Sequence, residues 1–429
     1  MPLTRRQFLG TSLLKDARSS TGTGLRAIGI GGADGPVSQP IVAVFLRGGA
    51  DGLNMIPPYA DDNYYRMRPT LALPPPGDKR ENAAARAINL DGYFGLHPAL
   101  GALQGLYGDG ELAVVHAAGS LDQTRSHFEA MSTMERGAAG GTGPLDGWLA
   151  RHLRGNERGR LSPLRAVAFA DSVPESLRGD SSAVALRSIT EFQLQVPDAH
   201  AQDHNRATAL FGDALHALYS REECGDVDIS HAGIDTLRAL DVVSSLRPAE
   251  YRSASGAVYP NTETGGAFRQ TACLIKGGAG VEVVCIDMGG WDTHVAQGRD
   301  TGWQANLLRD LAGSIAAFHA DMRHSHQRPM TVVMTEFGRR AHENAGGGTD
   351  HGRASCMLVA GKQVRASAVY SRWPGLYGDR LEGPGDLRVT TDYRDVLSEV
   401  LAVHSSGERL RSVFPGFKPH SHGLLKSNA

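Results

Sequence analysis

Residues 281–294 read Val-Glu-Val-Val-Cys-Ile-Asp-Met-Gly-Gly-Trp-Asp-Thr-His, an apolar run that ends in glycines and then presents Asp292 and His294 two positions apart. The pattern returns where Thr331-Val-Val-Met-Thr335 gives way to Glu336-Phe-Gly-Arg339 and, across a glycine-rich stretch, to Asp350-His351-Gly352. Carboxylates and imidazoles handed over together at strand ends are metal-ligand chemistry. Mixed oxygen and nitrogen donors suit a divalent ion such as Zn²⁺ or Mn²⁺, whereas Ca²⁺ and Mg²⁺ sites use oxygen almost alone. Asp51, after the run Ile41–Leu46, and Ser126, after the run Glu111–Ala117, fall in equivalent places. These donors suffice for one ion or two; a pair would lie ~3.5–4 Å apart, one activating a nucleophile and the other polarising a phosphoryl-type oxygen.

Each motif alone also has a plain structural reading. Asp51-Gly52 is a common turn dipeptide, Asp292 could cap a helix, Glu336 could pair with Arg339, and Asp350 could cap the glycine loop before it. Their joint placement at one end of a sheet is what favours a site.

The elements that must position these residues follow from periodicity. Strands are expected at 41–46, 111–117, 165–170, 281–287, 331–335 and 356–360, as short runs rich in Val, Ile and Ala bounded by glycine or charge. Helices are expected from Pro98 through Leu106, within 120–135 with Phe128, Met131 and Met134 inward, at Trp148–Leu153, through Cys273–Ile275, from Trp303 to about His319, and after Asp392. Residues 57–90, interrupted by Pro57, Pro58 and Pro74 to Pro76, read as a surface excursion. The segment from about 171 to 262 is polar and poor in strand signal, and reads as a helical insertion with helices at 205–219 and 231–246. Strands alternating with helices imply an α/β fold, a mostly parallel central sheet with helices on both faces, whose sites form at the carboxyl ends of the strands.

Composition bounds the function classes. A chain of 429 residues with 41% hydrophobic content can bury a substantial core. The 44 basic and 46 acidic residues are well mixed and give a net charge of −2, so no basic stripe argues for nucleic acid, and a small-molecule or protein partner is expected. The cysteines at 224, 273, 285 and 356 lack CxxC spacing and are expected to be free. No stretch reaches the ~20 apolar residues of a transmembrane helix. The start, Thr4-Arg5-Arg6-Gln7-Phe8-Leu9, resembles a twin-arginine export signal, but Lys15, Asp16 and Arg18 interrupt the apolar region. Residues 1–40 are therefore expected to be a degenerate signal, giving a periplasmic or exported protein, or a disordered basic tail on a cytoplasmic one. Residues 41–429 are expected to form a single domain.

Arg47-Gly-Gly-Ala-Asp-Gly-Leu-Asn54, Thr124-Arg-Ser-His-Phe-Glu-Ala130, Gly290-Trp-Asp-Thr-His294, Thr335-Glu-Phe-Gly-Arg339 and Thr349-Asp-His-Gly-Arg353 together resemble the bacterial domain-of-unknown-function family numbered fifteen hundred and one. Members typically carry twin-arginine signals and are thought to belong to the alkaline-phosphatase-like superfamily, alongside sulfatases and phosphodiesterases. The resemblance implies that fold and a metal-dependent hydrolase or transferase acting on phosphate or sulfate esters. It makes Asp51 the first metal aspartate, Asp292 and His294 a ligand pair with shortened spacing, Glu336 a replacement for a ligand aspartate, and His351 the last metal histidine. Phe337 stands where the superfamily has a ligand histidine, so a second ion site is expected to be weak or empty. The nucleophile implied is Ser126, with Thr124 as the alternative. Arg125 or Arg339 would clamp the oxyanion, and His127 would be a ligand or a general acid. The absence of a Cys-x-Pro-x-Arg motif counts against an ordinary sulfatase. The degenerate second site also leaves open a catalytically silent metal-binding protein, or an envelope protein whose partner docks on the insertion.

Overall fold

The β-branched runs become the middle of one nine-stranded sheet. The structure, a computed structural model, describes residues 39–426 except 139–142, 156–161, 195, 197–203, 221–226 and 404–406. The export-signal reading of residues 1–40 therefore falls almost wholly outside the described residues, as does Cys224.

The strands are β1 (Ile41–Leu46), β2 (Leu112–Gly119), β3 (Ala166–Phe169), β4 (Ala183–Leu186), β5 (Val283–Met288), β6 (Met330–Thr335), β7 (Ser355–Ala360), β8 (Val369–Tyr370) and β9 (Thr391–Asp392). Their order across the sheet is β8-β2-β7-β6-β1-β5-β3-β4, with β9 beside β2. All neighbours run parallel except β7, which is antiparallel to both β2 and β6. β1 lies between β5 and β6 with Leu46 level with Met288 and with Thr335, so three strands end at one height.

The α-helices of seven residues or more are α1 (His127–Glu135), α2 (Trp148–Arg154), α3 (His204–Tyr219), α4 (Val227–Leu246), α5 (Glu263–Lys276), α6 (Trp303–Asp321), α7 (Tyr393–Ala402) and α8 (Gly407–Val413). Strand side chains alternate between two cores, as the pleat requires. Val42, Val44, Val284 and Ile286 pack with Phe268, Leu274, Leu308 and Phe318 of α5 and α6. Phe45, Val283 and Cys285 pack with Trp148, Leu149, Val396 and Leu397 of α2 and α7 on the other face. Both faces are covered, which explains why the central strands read as continuous apolar runs rather than alternating ones.

Three expectations need correction. β4 lies inside the segment expected to be helical; its Ala-Val-Ala-Leu, half-buried except for the buried Leu186, forms a parallel sheet edge against β3. The mostly parallel sheet is as expected, with β7 alone running against its neighbours. The 57–90 excursion is partly interior, with Tyr64 and Arg68 fully buried. Phe128, expected to face inward, is 84% exposed at the start of α1, whereas Met134 is buried as expected, together with Ala130. Cys273, Cys285 and Cys356 are free and buried. No helix among the described residues is long and apolar enough to cross a membrane.

Candidate metal centre

Strand direction decides what can meet at the sheet edge. β1, β2, β5 and β6 all deliver their carboxyl ends to one side, and from there come Gly48, His127 at the start of α1, Asp292 and Glu336. Because β7 is reversed, the loop entering it lies on that same side and brings His351. The loops pack backbone to backbone. Gly48 has φ +124°, and a Cβ there would fall 2.5 Å from the Asp292 nitrogen; at Gly352 a Cβ would fall 2.4 Å from the Arg339 carbonyl carbon. Only glycine permits either approach.

Three imidazoles and a carboxylate converge in the space so formed. His351 Nε2 lies 3.0 Å from His127 Nε2, 2.9 Å from His294 Nε2 and 3.1 Å from Asp292 Oδ1. His294 Nε2 is 3.1 Å from the same Asp292 oxygen, and His127 Nε2 is 3.6 Å from Asp292 Oδ2. Ligand atoms of His127, Asp292 and His351 all lie within 4.8 Å of one another. Around an ion with ~2.0–2.1 Å bonds, tetrahedral donors stand roughly 3.3 Å apart, so these separations match one ion.

The other ring nitrogens explain why the Nε2 atoms point inward. His127 Nδ1 donates to Glu336 Oε1 at 2.7 Å, and that oxygen also accepts from the Gly48 N–H at 2.8 Å. His351 Nδ1 donates to the Arg125 carbonyl at 3.0 Å. His294 Nδ1 faces Asp350 Oδ1 at 3.4 Å, and the Asn344 amide donates to that oxygen at 2.9 Å. A carbonyl can only accept, so Nδ1 of His351 carries the proton, and the neutral ring turns a lone pair toward a carboxylate oxygen and two further rings. Such crowding of acceptors is relieved by a cation at their centre. Nδ1 tied to a carboxylate or carbonyl, with Nε2 free, is how proteins hold metal-ligating histidines.

Electrostatics agree with that donor set. Burial holds His351 below the ordinary imidazole range. For Asp292, burial works against ionisation but is outweighed by the hydrogen bond and positive charge of Arg339, and the carboxyl is held low. His127 is raised, chiefly by its hydrogen bond to Glu336. The Asp292 side chain is 48% exposed, so the cluster opens to solvent and to a ligand.

The remaining expected residues are placed otherwise. Asp51 is buried, and both its oxygens are taken: Arg68 donates to them at 2.6 and 2.9 Å, and Gln297 donates at 2.7 Å. It anchors the loop after β1 and does not join the cluster. Glu336, fully buried, orients His127. Arg339 is 1% exposed, and its nitrogens donate to the carbonyls of Gly48, Gly49, Trp291 and Thr349 and, at 2.6 Å, to Asp292 Oδ1. It positions Asp292 and is buried among these acceptors. Arg125 is paired with Asp386. Thr124 Oγ1 donates to Glu129 at 2.6 Å. Ser126 is exposed at the N-cap of α1, and its hydroxyl does not cap the helix. Phe337 lies against the His127 and His351 rings, with centroids 4.8 and 4.9 Å away, and so forms an apolar wall of the site rather than a further ligand. Sequence reasoning missed Asn344 and the Arg125 carbonyl, neither of which carries a ligand-like signal.

A mixed α/β sheet with an imidazole and carboxylate cluster at its edge defines the class of protein. Residues 38–401 match the family described as "Protein of unknown function (DUF1501)", and the chain belongs to that family. A comparison with curated proteins finds no significant match.

Proposed function

We propose that this protein is a metal-dependent hydrolase or transferase of phosphate or sulfate esters, built on an alkaline-phosphatase-like sheet. The observation that carries the reading is the set of three imidazoles, each tethered through Nδ1, whose Nε2 atoms converge with Asp292. His127, Asp292 and His351 would hold one Zn²⁺ or Mn²⁺, with His294 as a further donor, and a bound ion would supply Lewis-acid polarisation of an ester oxygen. With Asp51 committed to Arg68 and Phe337 in place of a ligand, the residues fit one ion rather than two.

The chain's own groups take the remaining roles. Ser126, exposed and uncommitted beside His127, is the nucleophile of the proposal, and its place at the first turn of α1 favours a developing anion. Glu336 and Asp350 fix ring orientation, and Arg339 keeps Asp292 ionised and aimed. A second reading, a metal-binding protein without turnover or a partner-binding envelope protein, draws support from one observation: Arg339 and Arg125 are already paired with carboxylates of the chain itself, Asp292 and Asp386. The Arg5-Arg6 stretch supports export to the periplasm, and a fusion of residues 1–40 to a folded reporter tests it.

Metal analysis of the purified chain, followed by turnover of p-nitrophenyl phosphate, bis-p-nitrophenyl phosphate and p-nitrophenyl sulfate, separates the readings. Bound metal with turnover abolished in Ser126→Ala supports the enzyme, and metal without turnover supports the silent protein. Failure to take up Zn²⁺ or Mn²⁺ after reconstitution would sink both the enzyme and the silent metal-binding protein and leave the partner-binding envelope protein.

A further inference from the structure

At the opposite end of the sheet, where β6 begins, the loop Arg323-His-Ser-His-Gln-Arg328 and Lys362 enclose an open concavity of about 580 Å³ lined by Arg323, His324, Ser325, His326, Arg328 and Lys362. No lining residue is acidic. That is unusual in a chain whose charges are otherwise mixed and sum to −2. Arg323 pairs with Asp109 at 3.3 Å, with both partners about half exposed. Among the described residues, neither Arg328 nor Lys362 has a carboxylate at ion-pair distance.

The concavity is also held in shape. The Arg328 N–H donates to the Gln39 side chain, and its carbonyl accepts from the Gln363 amide at 2.9 Å, so the backbone is pinned on both sides while the guanidinium stays free. Lys426, outside the lining, donates from its ammonium to the Lys362 carbonyl at 2.7 Å and so fixes the backbone of that residue. Cations of one sign around a concave surface focus the potential and concentrate anions. Guanidinium and ammonium donors suit phosphate oxygens, and the space exceeds a single phosphate group. The loop lies one strand length, roughly 20 Å, from the metal centre.

We infer that this concavity binds a phosphate-bearing polyanion, either a free polyphosphate-type ligand or a phospholipid headgroup, and that it is separate from the metal centre. The test uses the full chain at low salt. Inorganic pyrophosphate is titrated calorimetrically, and vesicles of phosphatidylglycerol are compared with phosphatidylcholine by co-sedimentation. Saturable pyrophosphate binding, weakened about tenfold or more by Arg328→Gln with Lys362→Gln but retained in His351→Ala, assigns a free ligand. Binding to phosphatidylglycerol alone with the same dependence assigns a headgroup. Lys362→Gln alone, an exposed change, gives an intermediate loss and guards against misfolding of the double variant. Absence of binding to either probe, or binding indifferent to both substitutions, overturns the inference.

Discussion

At the residue scale the cluster separates groups that would touch an ion from groups that aim them. Glu336 belongs to the second kind. Replacing it by Gln retains an acceptor for His127 but removes the charge, and should weaken metal affinity about 10–100-fold, read by competition with a chromophoric chelator, while the unfolding midpoint of the metal-free protein changes little. His351→Ala should remove binding altogether, because His351 Nε2 touches every other member of the cluster. Asp51 behaves in the reverse way. Asp51→Ala leaves Arg68 as a buried, uncompensated charge and should cost about 3–5 kcal/mol in denaturant unfolding, with metal affinity following only through the loss of folded protein. The contrast explains what a sequence reader can see. Asp292 and His351 announce themselves by residue type and by the strand beside them. Asp51 carried the same signals, and its true partner sits in a proline-interrupted segment that gave no sign of being interior.

Among the elements, legibility tracks locality. β1, β5 and β6 were readable to within a residue or two because fully buried strands are continuous apolar runs. β4 was not, since a four-residue edge strand with three residues only half-buried resembles the polar segment around it. The direction of β7 was not readable either, because it depends on pairing with β2 and β6, which no local pattern encodes. Helix packing adds a pH-dependent clamp. Asp321, at the end of α6, accepts from Lys276 of α5, from Tyr251 and Tyr259 at 2.7 and 2.8 Å, and from the Ala254 N–H at 2.6 Å. Burial opposes its ionisation, but these bonds outweigh it and hold the carboxyl below its ordinary value. The folded state therefore binds a proton less readily than the unfolded chain. The stability this group contributes is present above pH ~4 and is lost as pH falls through the folded value. Asp321→Asn should lower the thermal midpoint at pH 7 and flatten the acid side of the stability profile below pH ~4, measured by calorimetry.

For the whole molecule, the donors come from distant parts of the chain, His127 from near the first third and Asp292, His294 and His351 from beyond the insertion. An ion held by them binds the folded state and not the unfolded one. Zn²⁺ at about a hundredfold its dissociation constant should raise unfolding free energy by about 2.7 kcal/mol, and a chelator should reverse the gain. In His351→Ala the same addition should leave the melting curve unmoved. The two ends of the sheet thus carry different chemistry, acceptors for a cation where the central strands finish and cations for an anion where β6 begins.

The level ends of β1, β5 and β6 also determine how the chain tolerates changes of length. Each strand residue advances about 3.3 Å and alternates faces, so deleting one residue inside β5 would withdraw Asp292 by that distance and turn the strand's buried side chains over. No such coupling binds the helical pair 204–246, whose distance in sequence from every donor lets it lengthen or shorten. Indels in this fold should therefore be sorted by strand register: those within β1, β5 or β6 dismantle the centre without touching a donor, and those in α3 or α4 leave it whole.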